Sequence, residues 1–140
     1  MLFRSGNLST TQLTVLQGTV TVSLTGGASI SSGTNGSSTL TLSGTQTQIN
    51  AALATLSYQA SSNYNGGDTL TILSTDSSGS TDTDTVAITV SAVNDPSALV
   101  NDTKAVDQNN NATGNVLTND SDIDDSLSVA SFTVTGDLNT

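Results

Sequence analysis

Cysteine, histidine, tryptophan and glutamate are absent from the sequence. Without cysteine the chain can form neither a disulfide nor a thiolate metal site. The missing residues include the commonest nucleophiles, general acids and general bases. We therefore expect a protein that is not an enzyme. Metal-dependent hydrolysis by a site built only from aspartates is the one catalytic alternative that these residue types leave open.

Positive charge is almost as scarce, because Arg4 and Lys104 stand against twelve acidic residues and the net charge is −10. Nucleic acids and anionic lipids are bound mainly through Lys and Arg, so we expect no nucleic-acid partner and no direct membrane insertion. The first aspartate is Asp68, so the negative charge is concentrated in the second half of the chain. Such a surface attracts cations.

Serine and threonine are abundant, and threonine alternates with Val, Leu and Ile, a mixture that suits half-buried strands. Residues 12–24 read as a hairpin that turns at Gln17-Gly18, and STLTLSG reads as a further strand. The segments TLTILST and TDTVAITVSAV form the clearest hairpin of the chain. The turn NYNGGD precedes them, and we expect its Asp68 at the surface. The pattern predicts an all-β fold.

One segment, GTQTQINAALATLSY, breaks the alternation of the strands. Ile49, Leu53 and Leu56 are spaced as on one face of a helix. Thr45 and Gln48 have the spacing of a capping box, in which two side chains satisfy the free amides at a helix start. We expect one helix of about three turns here.

The only proline, Pro96, lies in the linker NDPS and cannot occupy a central strand, so we place a module boundary there. Beyond it we expect strands at residues 98–106 and 113–118, and a last strand that contains Val129, Phe132 and Val134. These residues are too few to complete a β-sandwich.

Four aspartates crowd into the segment TNDSDIDDSLSV: Asp120, Asp122, Asp124 and Asp125. Calcium binds six to eight oxygens, and alternate spacing lets a turning loop aim several carboxylates at one ion. An EF-hand is excluded, because that motif requires a glycine where Asp125 stands and a glutamate where Ser131 stands. The alternatives are a calcium loop and a solvated acidic loop.

Several blocks resemble cadherin-like tandem repeats of large, calcium-dependent bacterial surface adhesins of the repeats-in-toxin or VCBS-like type. They are INAALATLSY, NYNGGDTLTI, DTDTVAITVSAVND and GNVLTNDSDIDD. The resemblance implies an immunoglobulin-like or cadherin-like β-sandwich with one short helix, followed by the start of a second sandwich. Residues 1–95 would be one repeat without its first strands, and residues 96–140 would be the beginning of the next repeat.

The resemblance also implies calcium at the junctions between repeats. Because strands of a sandwich run between two poles, we expect one group to converge at the linker, with Asp125 at its edge: Asn94, Asp95, Asp102, Asp120, Asp122 and Asp124. A second group, Asp76, Asp82 and Asp84, flanks a hairpin loop at the opposite pole. An ordinary polar hairpin end is the alternative for that group.

The function that the resemblance implies is a calcium-rigidified extender repeat of an adhesin, with a structural role in cell adhesion and biofilm formation. Its partners would be neighbouring repeats of the same chain and, through other domains, host or surface ligands. The location would be extracellular, at the bacterial surface or secreted. A ligand- or glycan-binding module that uses the loop GGASISSGTNGSS is the second hypothesis, and a domain attached to a secreted enzyme is the third.

Overall fold

The computed structural model describes residues 8–131. The chain divides into two units between Ala92 and Val93. The first unit consists of two antiparallel sheets and one short helix, which confirms the predicted all-β fold. The predicted domains, 1–95 and 96–140, and their description as incomplete repeats stay predictions. Among the described residues no helix has the length and apolarity needed to cross a membrane.

The larger sheet has five strands in the order β3-β4-β1-β6-β7, and the smaller sheet pairs β2 with β5. Every pair of neighbouring strands is antiparallel. The elements along the chain are β1 (Leu8–Thr14), β2 (Gly18–Thr21), β3 (Ser29–Gly33), β4 (Thr39–Ser43), α1 (Gln46–Leu53), β5 (Ser57–Ala60), β6 (Gly66–Asp76) and β7 (Thr81–Val90).

Alternate residues of the strands build one hydrophobic core, as the period of a pleated strand requires. Leu13 of β1, Val20 of β2 and both leucines of β4 are fully buried. The helix adds Ile49 and Ala52 to the same cluster. The two sheets and the helix are therefore held together by a single set of aliphatic side chains.

The predicted hairpin at residues 12–24 is wrong. β1 lies between β4 and β6, so both of its edges are already paired, and β2 joins the other sheet beside β5. Alternating apolar residues look the same in a hairpin and in a chain that crosses from one sheet to the other, because both bury the same face of each strand. The pattern located the strands and could not identify their partners.

The helix forms where the spacing predicts it. Thr45 is its N-cap, and the Thr45 amide donates to Gln48 Oε1 at 2.9 Å while the Gln48 amide donates to Thr45 Oγ1 at 3.3 Å. These two bonds make the predicted capping box. The helix has 8 residues, about two turns, and is shorter than expected.

The strands predicted at 98–106 and 113–118 are wrong. Within residues 93–131 the only β pairing is an isolated bridge between Ala98 and Ser121. The apolar side chains of these segments are exposed, with Leu99 71 % and Val116 52 % accessible. Alternation favours a strand when one face can be buried, and within residues 93–131 the apolar side chains of these segments remain accessible. Phe132 and Val134 lie outside the described residues.

Replacing a core leucine tests this packing. We expect Leu13→Ala to lower the free energy of unfolding by about 2–5 kcal/mol, because the side chain is fully buried and its loss leaves a cavity. Urea denaturation of the whole chain measures the effect. The control is Leu16→Ala, which removes a side chain that is 80 % exposed and should change stability by less than about 0.5 kcal/mol. Equal effects at the two positions would contradict the described core.

Candidate functional site

Asp76 ends β6 and is buried, with 5 % of its surface accessible. Its Oδ1 accepts hydrogen bonds from Ser78 Oγ at 2.6 Å, from the Ser78 amide at 2.8 Å and from the Ser80 amide at 2.9 Å. The Ser78 hydroxyl and the Ser80 amide outweigh burial and lower the pKa of this carboxyl. Asp76 thus closes the β6–β7 loop, the arrangement of a polar hairpin end.

Asp82 and Asp84 lie on β7 and are exposed. They face Ser74 and Ile72 across the ladder between β6 and β7. The three aspartates therefore flank one hairpin, as the sequence indicates. Calcium binding by this group stays a prediction.

Asp68 was expected in a surface turn, and that expectation is wrong. Asp68 belongs to β6 and is buried, with 6 % of its surface accessible. The sequence does contain the signal, because Asp68 precedes Leu70 and Ile72 at the two-residue period of a strand and must share their inward face. The turn residues before it concealed that position.

The Asp68 carboxylate accepts four hydrogen bonds from three parts of the chain. Oδ1 accepts from the Leu16 amide at 3.1 Å and from the Thr69 amide at 2.7 Å. Oδ2 accepts from the Gln17 amide at 2.9 Å and from the Tyr58 hydroxyl at 3.0 Å. Leu16 and Gln17 lie in the β1–β2 connection and Tyr58 in β5. One side chain of the larger sheet thereby fastens the chain where it crosses to the smaller sheet.

Gly18 gives Tyr58 room to reach this carboxylate. A Cβ atom at position 18 would overlap the Gln59 carbonyl oxygen and would lie 2.7 Å from the Tyr58 ring, closer than such atoms pack. Gly18 pairs with Ala60, so Gly18 and Tyr58 lie on adjacent strands of the smaller sheet. The absence of a side chain at Gly18 is therefore part of the Asp68 arrangement.

The hydrogen bonds stabilise the ionised form of the Asp68 carboxylate. Burial alone raises the pKa of the Asp68 carboxyl, but the amides of Gln17, Leu16 and Thr69 and the Tyr58 hydroxyl outweigh it and lower the pKa. Burial raises the pKa of Tyr58, and the hydrogen bond to Asp68 and its negative charge raise it further. At neutral pH the carboxylate is ionised and the phenol is protonated.

The acidic loop of the second unit lies along residues 95–100. Asp124 Oδ2 accepts from the Asp95 amide at 3.1 Å, and Asp120 Oδ1 accepts from the Val100 amide at 2.7 Å. Asp122 Oδ2 accepts from Ser97 Oγ at 2.6 Å. Hydrogen bonds to polar donors offset part of the repulsion between these carboxylates.

Asp122 also organises the loop itself. Its Oδ1 accepts from the Asp124 amide at 3.1 Å and from the Asp125 amide at 2.9 Å, which forms a turn closed by an aspartate side chain. The Ser97 hydroxyl and these two amides lower the pKa of Asp122. The charge of Asp122 is thus stabilised by its own chain.

The predicted convergence at the linker occurs only in part. Asp120, Asp122 and Asp124 all bond to the 95–100 segment, whereas Asn94 bonds through Nδ2 to the Asp95 carbonyl. Within residues 8–131 no three acidic side chains come together in an arrangement that could hold a metal ion. Asp102 is exposed and lines a shallow pocket with Lys104 and Thr118. The carboxylates are turned towards amides and hydroxyls.

We expect Asp68→Asn to destabilise the protein at neutral pH, because the amide removes the charge that the Leu16, Gln17 and Thr69 amides stabilise. The folded pKa of Asp68 lies below its unfolded value. Its contribution is therefore present above the unfolded pKa and is lost as the pH falls through the folded pKa. Urea denaturation at a series of pH values should show the difference between wild type and variant shrinking in acid.

The control for this experiment is Asp84→Asn, which neutralises an exposed aspartate of the neighbouring strand. Its unfolding midpoint should follow that of the wild type throughout. If Asp68→Asn is as stable as wild type at neutral pH, the carboxylate does not hold the crossing in place.

Comparison with known proteins gives one family match. The family model of the GEX2 (Protein GAMETE EXPRESSED 2) domain matches residues 4–85, which is more than half of the chain. No curated protein and no solved structure matches the chain. The matched residues include the Asp68 arrangement and end within β7.

The match corrects the expectation drawn from the resemblance. Bacterial cadherin-like repeats are a different family, so the assignment to a bacterial adhesin is wrong. The extender function, the glycan-binding alternative and the roles in bacterial adhesion and biofilm fall with it. Strand alternation and acidic turns carried that resemblance, and such features are common to many β-sheet proteins. The chain belongs to the GEX2 (Protein GAMETE EXPRESSED 2) domain family.

Proposed function

We propose that the chain is a non-catalytic structural module of a protein expressed in gametes, as the name of its family suggests. The observation that carries the proposal is the use of the buried carboxylates. Asp68 and Asp76 are the buried aspartates of the described residues. Each accepts hydrogen bonds from backbone amides of other residues and from a neighbouring hydroxyl. A catalytic carboxylate must reach a substrate, whereas these carboxylates hold connections between strands.

The composition supports the same proposal. A net charge of −10 disfavours contact with nucleic acid or an anionic membrane, so neither is proposed as a partner. The chain also offers no histidine, cysteine or glutamate for proton transfer or nucleophilic attack. The residue types that remain are those of a folded scaffold with a polar surface.

Calcium binding by the acidic loop is the second part of the proposal. The available donors are carboxylate and hydroxyl oxygens, the ligands that calcium prefers. A carboxylate offers about four acceptor positions, so the bonds to Val100, Ser97 and Asp95 leave Asp120, Asp122 and Asp124 with further positions. Binding would draw these carboxylates partly away from the amides, and the affinity would be modest. Modest affinity suits a location outside the cell, where such sites have Kd values on the order of 10⁻⁴–10⁻³ M.

Hydrogen exchange of the whole chain, with and without millimolar calcium, tests this part. We expect β6 and β7 to be protected in both conditions, because their ladder belongs to the first unit. Residues 95–100 and 120–125 should gain protection when calcium is added, because the ion would fix the loop. The heat of calcium binding should appear in calorimetry under the same conditions.

The variant Asp122→Asn supplies the matched comparison, because it keeps an acceptor oxygen but removes the charge at the centre of the loop. It should weaken the calcium response strongly. Asp107→Asn neutralises an exposed aspartate of the same unit outside the loop and should respond as wild type does. Unchanged exchange and no binding heat for the wild type would leave the loop as an internally hydrogen-bonded acidic turn.

A further inference from the structure

β3 and β7 are the two edge strands of the larger sheet, and β7 is the longer of them. β7 is the last strand in the order β3-β4-β1-β6-β7, and within residues 8–131 no strand pairs with its other side. It runs for 10 residues, so its outer edge is long. An unpaired strand edge presents free amide and carbonyl groups and is a ready template for another strand.

The register of the hairpin shows which residues form that edge. The Asp76 amide donates to the Ser80 carbonyl at 2.9 Å, and Thr75 faces Thr81 in the ladder. Hydrogen-bonded and non-hydrogen-bonded pairs alternate in an antiparallel ladder. The even-numbered residues of β7 therefore bond to β6. The outward amides and carbonyls belong to the odd-numbered residues, which are Thr81, Thr83, Thr85, Ala87 and Thr89.

The inward side-chain face of β7 is only partly covered. Val86 is opposite Leu70 of β6, yet Leu70 is 6 % exposed and Val86 is 48 % exposed. Ile88 is half-buried against the core. Among the described residues the smaller sheet consists of β2 and β5, and Val86 keeps 48 % of its surface accessible. An apolar strip of Val86 and Ile88 thus continues the core towards the free edge.

The same face carries two exposed charges. Within residues 8–92 the exposed charged side chains are Asp82 and Asp84, since Asp68 and Asp76 are buried. Inward-pointing charges on an edge strand oppose pairing with an uncharged or acidic strand, because the carboxylates would lose water without gaining a partner. A strand with cations at matching positions would meet no such penalty.

We propose that β7 is a docking edge for an extended strand of another polypeptide that carries two cationic and two apolar side chains at alternate positions. In the antiparallel orientation of this sheet, the apolar pair lies beside Ile88 and Val86, and the Lys or Arg pair lies beside Asp84 and Asp82. A second copy of this chain does not have the required chemistry. Its cations are Arg4 and Lys104, which are far apart in sequence, and its own β7 would bring two more aspartates.

A labelled synthetic peptide, Val-Thr-Val-Thr-Lys-Thr-Lys with blocked ends, tests the proposal by fluorescence anisotropy with the whole chain. We expect saturable binding that weakens as salt is added. The charge-reversal variant Asp82→Lys with Asp84→Lys should bind about tenfold more weakly or worse, because two attractive cross-strand pairs become repulsive. The control, Asp102→Lys with Asp107→Lys, has the same net charge change in the second unit and should leave binding within about twofold of wild type.

The backbone contribution is tested separately. Thr85→Pro removes an outward amide and leaves the ladder to β6 intact, since proline is tolerated on an edge strand, and it should abolish binding. Urea denaturation checks that the variant is folded. A peptide N-methylated on its pairing edge removes the same hydrogen bonds without altering the protein and should also fail to bind.

Three results would overturn the proposal. Absence of saturable binding by the wild type would mean that Asp82 and Asp84 only protect the edge from pairing. Equal binding of the N-methylated peptide would mean charge attraction without strand addition. Equal binding of a peptide whose two lysines are moved by one position, onto the other face, would remove the register on which the proposal depends.

Discussion

The contact between the Asp68 carboxylate and the β1–β2 connection is the constraint on which the architecture of the first unit depends. A chain that leaves one sheet for another exposes backbone amides that no ladder satisfies, and a buried unsatisfied amide costs about 1–3 kcal/mol. Asp68 supplies the acceptors for the Leu16 and Gln17 amides, and the Tyr58 hydroxyl donates to the same carboxylate. The crossing can therefore be tight, and the two sheets can share one core.

Sequence reasoning identified elements whose information is local. The capping box joins Thr45 to a residue three positions away, and the β6–β7 hairpin joins two strands that a short loop separates, and both form. Strand partners are not local information: β1 pairs with β6, and Thr11 lies opposite Ser74. The hairpin expected at residues 12–24 failed for that reason. The burial of Asp68 was visible in its period with Leu70, but the polar turn before it suggested the surface.

The aspartates show why residue type and spacing leave function open. Asp68, Asp76 and Asp122 each accept bonds from backbone amides, so an aspartate in a strand or a turn can have a structural role without any ion. The spatial arrangement of the donors around such a side chain decides its role. That arrangement cannot be read from the sequence. The family match revised the expected function for the same reason, since alternating strands and acidic turns occur in unrelated β-sheet proteins.

The central position of β1 has a consequence for folding during synthesis on the ribosome. Among the described strands β1 is synthesised first, yet one of its two neighbours, β6, ends only at Asp76. Leu13 and Val15 therefore stay only partly covered until β6 has been synthesised. Pairings so distant along the chain close slowly, because a long loop must be ordered before any contact compensates for it. The nascent chain is thus most vulnerable to wrong association before β6 has been made.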